Sequence, residues 1–204
     1  MKLIGMMDSP FVRRVAITLK LFDMPFEHEP VSVMRDFDTF KTYNPLVKAP
    51  SLIMDDGTVL MESSLILDVI EKLAGPETSL MPTGVADYIR AQRLIGLALI
   101  AAEKTVQKVY EFNMRSGDVP NANWLARVET QLAQAYGAIE DELAGIEGWS
   151  CGDQLTQADI TTAVVWRFTE HVFPENAAAD DYPRLKALSE RAEALPVFVN
   201  SPLV

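Results

Sequence analysis

Residues 44–65 read NPLVKAPSLIMDDGTVLMESSL. Two short apolar runs, Ser51 to Met54 and Thr58 to Met61, flank Asp55-Asp56-Gly57. Such a pair around an Asp-Gly turn predicts a β-hairpin. Pro50 stands just before the first run, in a connection with two prolines. A cis bond into Pro50 fits there and turns the backbone of Ala49 outward. Beyond the hairpin, Ser63 reads as the N-cap of a helix, with Glu62 just ahead of it. That helix runs to Leu73 before Gly75 and Pro76 close it.

Working outward, Lys2 to Met6 reads as a short buried strand. Phe11 to Phe22 is apolar at 11, 12, 15, 16, 19 and 22, a helical period. Phe26 to Val33 alternates imperfectly, as a strand does. The first half therefore runs β-α-β, a connection, then β-β-α. Residues 76–84, PETSLMPTG, read as a linker. The second half is helical: Val85 to Arg115, Asn121 to Ala144 with Gly145 and Gly148 as stops, Thr156 to Phe173 before Pro174, and Tyr182 to Ala194 before Pro196. Helices joined by short connections predict a bundle.

The chain has 204 residues, enough for one large domain or two small ones. Its formal net charge is -11, with no basic cluster. Phosphate binding needs clustered Lys and Arg, so nucleic-acid and anionic-membrane roles are disfavoured. The single cysteine, Cys151, excludes an internal disulfide and suits a reducing cytosol. Cys151 has no basic neighbour in sequence and reads as incidental. With only His28 and His171 beside it, the metal-ligand set is poor, and no metal is expected. Asp8 and Arg13 interrupt the first apolar run too early for a signal peptide. Leu94 to Ala102, bounded by Arg93 and Glu103, is too short to span a bilayer.

Three short segments carry chemistry, Asp8 to Phe11, Asn44 to Leu52 and Leu60 to Leu65, and a fourth, Cys151 to Ile160, is a structural signature. In Asp8-Ser9-Pro10-Phe11, Ser9 is a preferred N-cap and Pro10 a preferred first helical residue. The Ser9 hydroxyl then sits among helix N–H groups that lack internal partners, a place suited to an anion. From the segment alone, Ser9 is either a cap or an anion donor. Ser63 leaves the same two readings open. In Cys151 to Ile160, Thr156 reads as a cap to which Asp159, three residues on, bonds back, with Leu155 and Ile160 as the hydrophobic staple.

Taken in order, Ser9 at the first helix, Asn44-Pro45-x-x-Lys48-x-Pro50, Glu62-Ser63 and the capping box Thr156/Asp159 resemble the cytosolic glutathione transferase family over nearly the whole chain. The resemblance implies an α/β thioredoxin-like N-terminal domain over residues 1–76, with a mixed four-stranded sheet in the order β-α-β-α-β-β-α. It implies a linker over 77–86 and an all-α C-terminal helical bundle over 87–204. It also implies glutathione as co-substrate. Ser9-Pro10-Phe11 is similar to the Cys-Pro-Phe of omega-like classes. Met6-Met7 stands where other classes hold a Tyr, so neither a Tyr nor a covalent Cys mechanism fits, and Ser9 is the catalytic residue expected to stabilise the thiolate. Asp8 beside it is expected to face solvent.

By the same resemblance, the backbone of Ala49, ahead of Pro50, pairs with the cysteinyl part of glutathione as an added strand would. Lys48, with Lys41, takes a ligand carboxylate. Glu62 takes the γ-glutamyl ammonium, Ser63 takes its carboxylate, and Phe11 lines the site. A hydrophobic electrophile is expected between the domains, near Met7, Phe11, Tyr110, Met114 and Trp166. A cytoplasmic homodimer is expected, formed through the long fourth helix and the edge of the first domain. Three activities fit: general conjugation; a dedicated glutathione-dependent isomerase, dehalogenase or ether-cleaving enzyme; or a non-catalytic regulatory or interaction role. Zeta-like isomerases carry Ser-Ser-Cys where this chain has Ser9-Pro10-Phe11. Retention of Ser9, Glu62 and Ser63 together favours a working glutathione site.

Overall fold

In the computed structural model, which describes residues 1–114 and 119–203, the sheet is built on β1 (Lys2–Ile4). It pairs parallel with β2 (Glu27–Glu29) and antiparallel with β3 (Ser51–Ile53). Strand β3 pairs antiparallel with β4 (Val59–Met61), giving the order β2-β1-β3-β4. The hairpin closes as the Asp-Gly turn predicts: Met54 N–H donates to Thr58 C=O at 2.8 Å and Thr58 N–H to Asp56 Oδ1 at 2.9 Å. Strand β2 is shorter than the alternating stretch because Pro30 has no N–H to continue a ladder.

Helices α1 (Pro10–Leu21), α2 (Phe37–Tyr43) and α3 (Ser63–Ala74) cover the sheet. Successive strand residues point to opposite faces. Leu3 and Leu52 enter a core with Val12, Val15, Ala16 and Leu19 of α1 and Ile66, Leu67 and Ile70 of α3. Ile4 and Ile53 point the other way, toward Phe40 of α2 and Val31. This is the thioredoxin-like arrangement, β-α-β-α-β-β-α, with two helices on one face and one on the other. Periodicity alone misses α2, since Phe40 is its single buried residue.

Four helices make the second compact unit, residues 81–193: α4 (Val85–Asn113), α5 (Ala122–Glu142), α6 (Gln157–Val172) and α7 (Pro183–Glu193). The sequence-read end of the first of these, Arg115, lies outside the described residues. Helix α6 is the buried centre, packed by α4 and α7. Trp166 is 1% exposed and meets Tyr136 and Tyr182 edge-on, with centroids 5.3 and 5.9 Å away. Tyr136 donates to Thr169 Oγ1 at 2.6 Å, which bonds Thr105 at 2.7 Å. Burial pushes the Tyr136 phenol up. At the head of α6, Asp159 accepts from Thr156 N–H at 2.8 Å, as the capping box requires. No helix among the described residues is long and apolar enough to cross a membrane.

The first compact unit holds residues 1–80 and also 194–204. The return is made by α8 (Pro196–Val199) and the residues after it. Arg13 Nε donates to Ser201 C=O at 2.7 Å, and its guanidinium lies 5.7 Å from the Phe198 ring centroid. Lys20 Nζ donates to Asn200 C=O at 2.6 Å and Ser201 Oγ at 2.8 Å. These partners are about 180 residues apart, so no local pattern announces them.

Candidate functional site

Gly5 sets the geometry of the site in the first unit. It holds φ +136°, which L side chains rarely adopt, and a Cβ there would lie 2.6 Å from Val12 Cγ2 and 3.3 Å from Ala49 Cβ. Its carbonyl bonds His28 Nε2 at 2.8 Å and its N–H donates to Glu29 C=O at 3.0 Å. The missing side chain lets α1 and the Ala49–Pro50 turn close over the end of β1.

Ser9 occupies the N-cap of α1 with extended backbone, φ −71° and ψ 122°, and Pro10 follows it in the first turn. Its carbonyl accepts from Val12 N–H at 3.1 Å and Arg13 N–H at 2.9 Å. Its hydroxyl makes no capping bond, so the cap is supplied by backbone alone. Asp8, expected in solvent, is half-buried.

The connection before β3 is held by Asn44, a buried residue that the sequence reading used only as a motif letter. Asn44 Oδ1 accepts from Leu46 N–H at 3.0 Å and Nδ2 donates to Ser51 Oγ at 2.9 Å. Ser51 Oγ in turn donates to Lys48 C=O at 2.7 Å. Val47 is held at φ +48°, unusual for a β-branched residue. The Ala49–Pro50 bond is cis. Pro50 is buried, Ala49 half-buried, and Lys41 and Lys48 are exposed.

At the head of α3 the cap is Glu62 and Ser63 is the first helical residue, so the cap lies one residue earlier than the sequence suggests. The reason is the long Glu62 side chain, which folds back onto the helix. Its carboxylate accepts from Ser64 N–H at 3.2 Å and Leu65 N–H at 3.3 Å. Glu62 holds φ +70°, a strained value for a residue with a side chain. Ser63 is buried at 1% exposure, and Arg14 Nη1 lies 3.5 Å from its Oγ. Arg14 escaped the sequence reading, because a helical period counts apolar residues and treats arginine as outward. Its one signal was its place between Val12 and Val15.

The residues expected near an electrophile differ in burial. Met7 is 7% exposed within the core of the first unit, and Trp166 lies in that of the second. Phe11 is half-buried. Tyr110 is 42% and Met114 58% exposed at the end of α4. Burial pushes the Cys151 thiol up, the opposite of an activated thiolate. Among the described residues no group of three or more His, Cys, Asp or Glu gathers to hold a metal ion.

Residues 3–78 match the family model described as the glutathione S-transferase N-terminal domain, and residues 122–191 that of the C-terminal domain. Glutathione S-transferase 3 of Zea mays is 30% identical over 207 residues, covering 97% of this chain and 91% of its own. The chain belongs to the glutathione S-transferase family. Another relative, the maleylacetoacetate isomerase of Pseudomonas aeruginosa, is 25% identical, with 97% of this chain and 93% of its own covered. The crystal structure of a glutathione S-transferase from Methylobacterium radiotolerans, in complex with glutathione sulfonate, superposes with a TM-score of 0.89 at 32% identity, covering 98% of this chain and 93% of that one. The N-terminal glutathione S-transferase match contains Ser9, Ala49, Pro50, Glu62 and Ser63. The C-terminal match contains Thr156, Asp159 and Trp166, while Tyr110 and Met114 fall outside both.

Proposed function

We propose that this family member binds glutathione and holds its thiol as the thiolate for attack on a hydrophobic electrophile. The observation that carries the reading is the half-buried Ser9 hydroxyl, uncommitted to capping at the positive end of α1. A thiol of pKa about 8.5 is mostly protonated at neutral pH. Lowering it by about two units needs roughly 2.7 kcal/mol. A hydrogen bond to a charged group contributes about 1.5–3 kcal/mol. A helix N-terminus adds about 0.3–1 kcal/mol. The two together suffice. Ser9 donates its proton to the sulfur as a hydrogen bond and keeps it. The thiol proton leaves to solvent, and the sulfur lone pair forms the new C–S bond as the electrophile's leaving group departs with its bonding pair or its π bond shifts onto the neighbouring atom.

Around the sulfur, Ala49 offers its backbone to the cysteinyl unit, ahead of Pro50. Lys48 and Lys41 attract a ligand carboxylate, Glu62 takes the γ-glutamyl ammonium, Ser63 takes its carboxylate, and Phe11 lines the site. Within the second unit, exposed Tyr110 and Met114 are apolar candidates for contact with the electrophile. The exposed apolar residues Val85, Ile89 and Ile100 of α4 support a homodimer; a monomer mass in sedimentation equilibrium would refute it. A cytoplasmic location goes with the single unpaired cysteine.

The deciding experiment is the ultraviolet thiolate absorbance of bound glutathione in wild type and Ser9→Ala. The variant is expected to keep glutathione affinity within a few-fold, while the thiol pKa rises by about one to two units. An unchanged thiolate band removes Ser9 from the mechanism. A wild type with no glutathione affinity makes the fold a non-catalytic binding module. A second activity, glutathione-dependent cis–trans isomerisation, is favoured by the relative named maleylacetoacetate isomerase. Turnover of maleyl keto acids with no conjugation of an electrophile panel would establish it in place of conjugation.

A further inference from the structure

Arg14 has no part in the reading above, yet its surroundings are unusual for a cation. It is 2% exposed, and its Nε has no hydrogen-bond partner. Its neighbour Arg13, equally buried, has the Ser201 carbonyl at 2.7 Å. What Arg14 reaches instead is the head of α3, with Nη1 3.5 Å from the Oγ of Ser63. Burial pushes the Arg14 guanidinium down to about 10, opposed by the Glu62 carboxylate, so it keeps its charge at neutral pH. A buried cation whose hydrogen-bond contact is a neutral hydroxyl, with the Glu62 carboxylate already engaged by Ser64 and Leu65, is costly and is stabilised by a further negative charge.

Hydrogen-bond chemistry fixes what that arrangement does. A guanidinium only donates, so it must take a lone pair of Ser63 Oγ. The Ser63 proton is then directed away from Arg14. The positive end of the α3 dipole lies at the same point and favours an anion there. Glu62 has turned its own carboxylate onto Ser64 and Leu65, within the first turn of the helix. A buried positive charge, an oriented hydroxyl and a helix N-terminus therefore meet at one spot.

We infer that Arg14 is a positioning residue for the ligand's γ-glutamyl carboxylate: it orients the Ser63 hydroxyl from behind and makes that position selective for an anion. This rests on the glutathione reading and adds to it a residue that does not touch the ligand. Binding of the carboxylate adds a second negative charge to that of Glu62 beside Arg14. The discrimination between glutathione and a neutral look-alike is thus set from beneath α3.

Calorimetry with two ligands tests it: glutathione, and 4-aminobutyryl-cysteinyl-glycine, in which that carboxylate is replaced by hydrogen. Arg14→Gln is expected to lose on the order of tenfold to a hundredfold in affinity for glutathione and less than twofold for the decarboxylated analogue. Arg14→Lys, which keeps the charge without the fork, should recover part of the loss. Equal losses for both ligands would make Arg14 a purely structural residue and overturn the inference. Because a buried arginine variant can fail to fold, the wild type gives an independent readout. The 15N-labelled side-chain Nε–H signal of Arg14 should move on adding glutathione and stay in place with the analogue. Identical movement, or none, with both ligands also overturns it. Wild type that binds both ligands equally refutes this inference alone, whereas wild type that binds neither refutes the functional reading beneath it.

Discussion

At the scale of single residues, two of the three non-glycine residues at positive φ among those described flank the assigned site, the other being Asp23. Val47 and Glu62 both hold positive φ, one before β3 and one after β4. Strain of this kind, about 1–3 kcal/mol per residue, persists where surrounding contacts over-determine it. Gly5 is another such position and the most constrained, since a methyl group there meets Val12 within 2.6 Å. Gly5→Ala is expected to destabilise by about 2–4 kcal/mol, from overpacking combined with an unfavourable φ. The check is the urea midpoint, together with a weaker glutathione affinity as α1 and the Ala49 turn are pushed apart. A variant with the wild-type midpoint would show that this contact relaxes freely. Ser9, Glu62 and Ser63 were visible in the sequence because each belongs to a short motif. The swap of cap from Ser63 to Glu62 was not, because serine is the preferred cap and only the backbone shows that glutamate has displaced it. Arg14 and Asn44 were invisible as site residues, since their roles consist of partners brought in by folding.

Among the elements, helix starts were read well and short elements poorly, for a physical reason. A cap is a local event, so the read and observed starts of α5, α6 and α7 differ by one residue. Helix α2 and α8 have too few residues for a period to show, and both are held by packing rather than propensity. The capping box of α6 is the element-scale feature that bears the most weight. Asp159 is fully buried, and its carboxylate accepts from Ser150 N–H at 2.7 Å, Thr156 N–H at 2.8 Å and the Thr156 hydroxyl at 2.6 Å. It fastens the preceding loop and the helix start with one side chain. Asp159→Ala leaves those donors buried without an acceptor and is expected to cost about 3–5 kcal/mol. Asp159→Asn, which keeps one acceptor oxygen, should lose less. Chemical denaturation of both variants measures this, and an alanine variant within about 0.5 kcal/mol of wild type would contradict it.

For the molecule as a whole, two halves of different texture were legible, and so was the fold of each. What no sequence pattern conveyed is that the first unit is built from both ends of the chain. The ring of Phe198 is fully buried in it beside Arg13. Phe198→Ala is expected to destabilise that unit by about 3–5 kcal/mol. Hydrogen exchange should locate the effect, with α1 amides losing protection while α6 amides keep theirs. Equal exchange in both helices would mean that the two units unfold as one.

That return of the chain also sets an order of events during synthesis. The ribosome delivers the strands, α1 and α3 first, then the whole of residues 81–193, and only afterwards the segment that covers Arg13. At about 5–20 residues per second, that delay lasts roughly 6–23 s. Throughout it, the nascent amino-terminal half waits with its closing piece still untranslated, while the helices of the middle can already assemble.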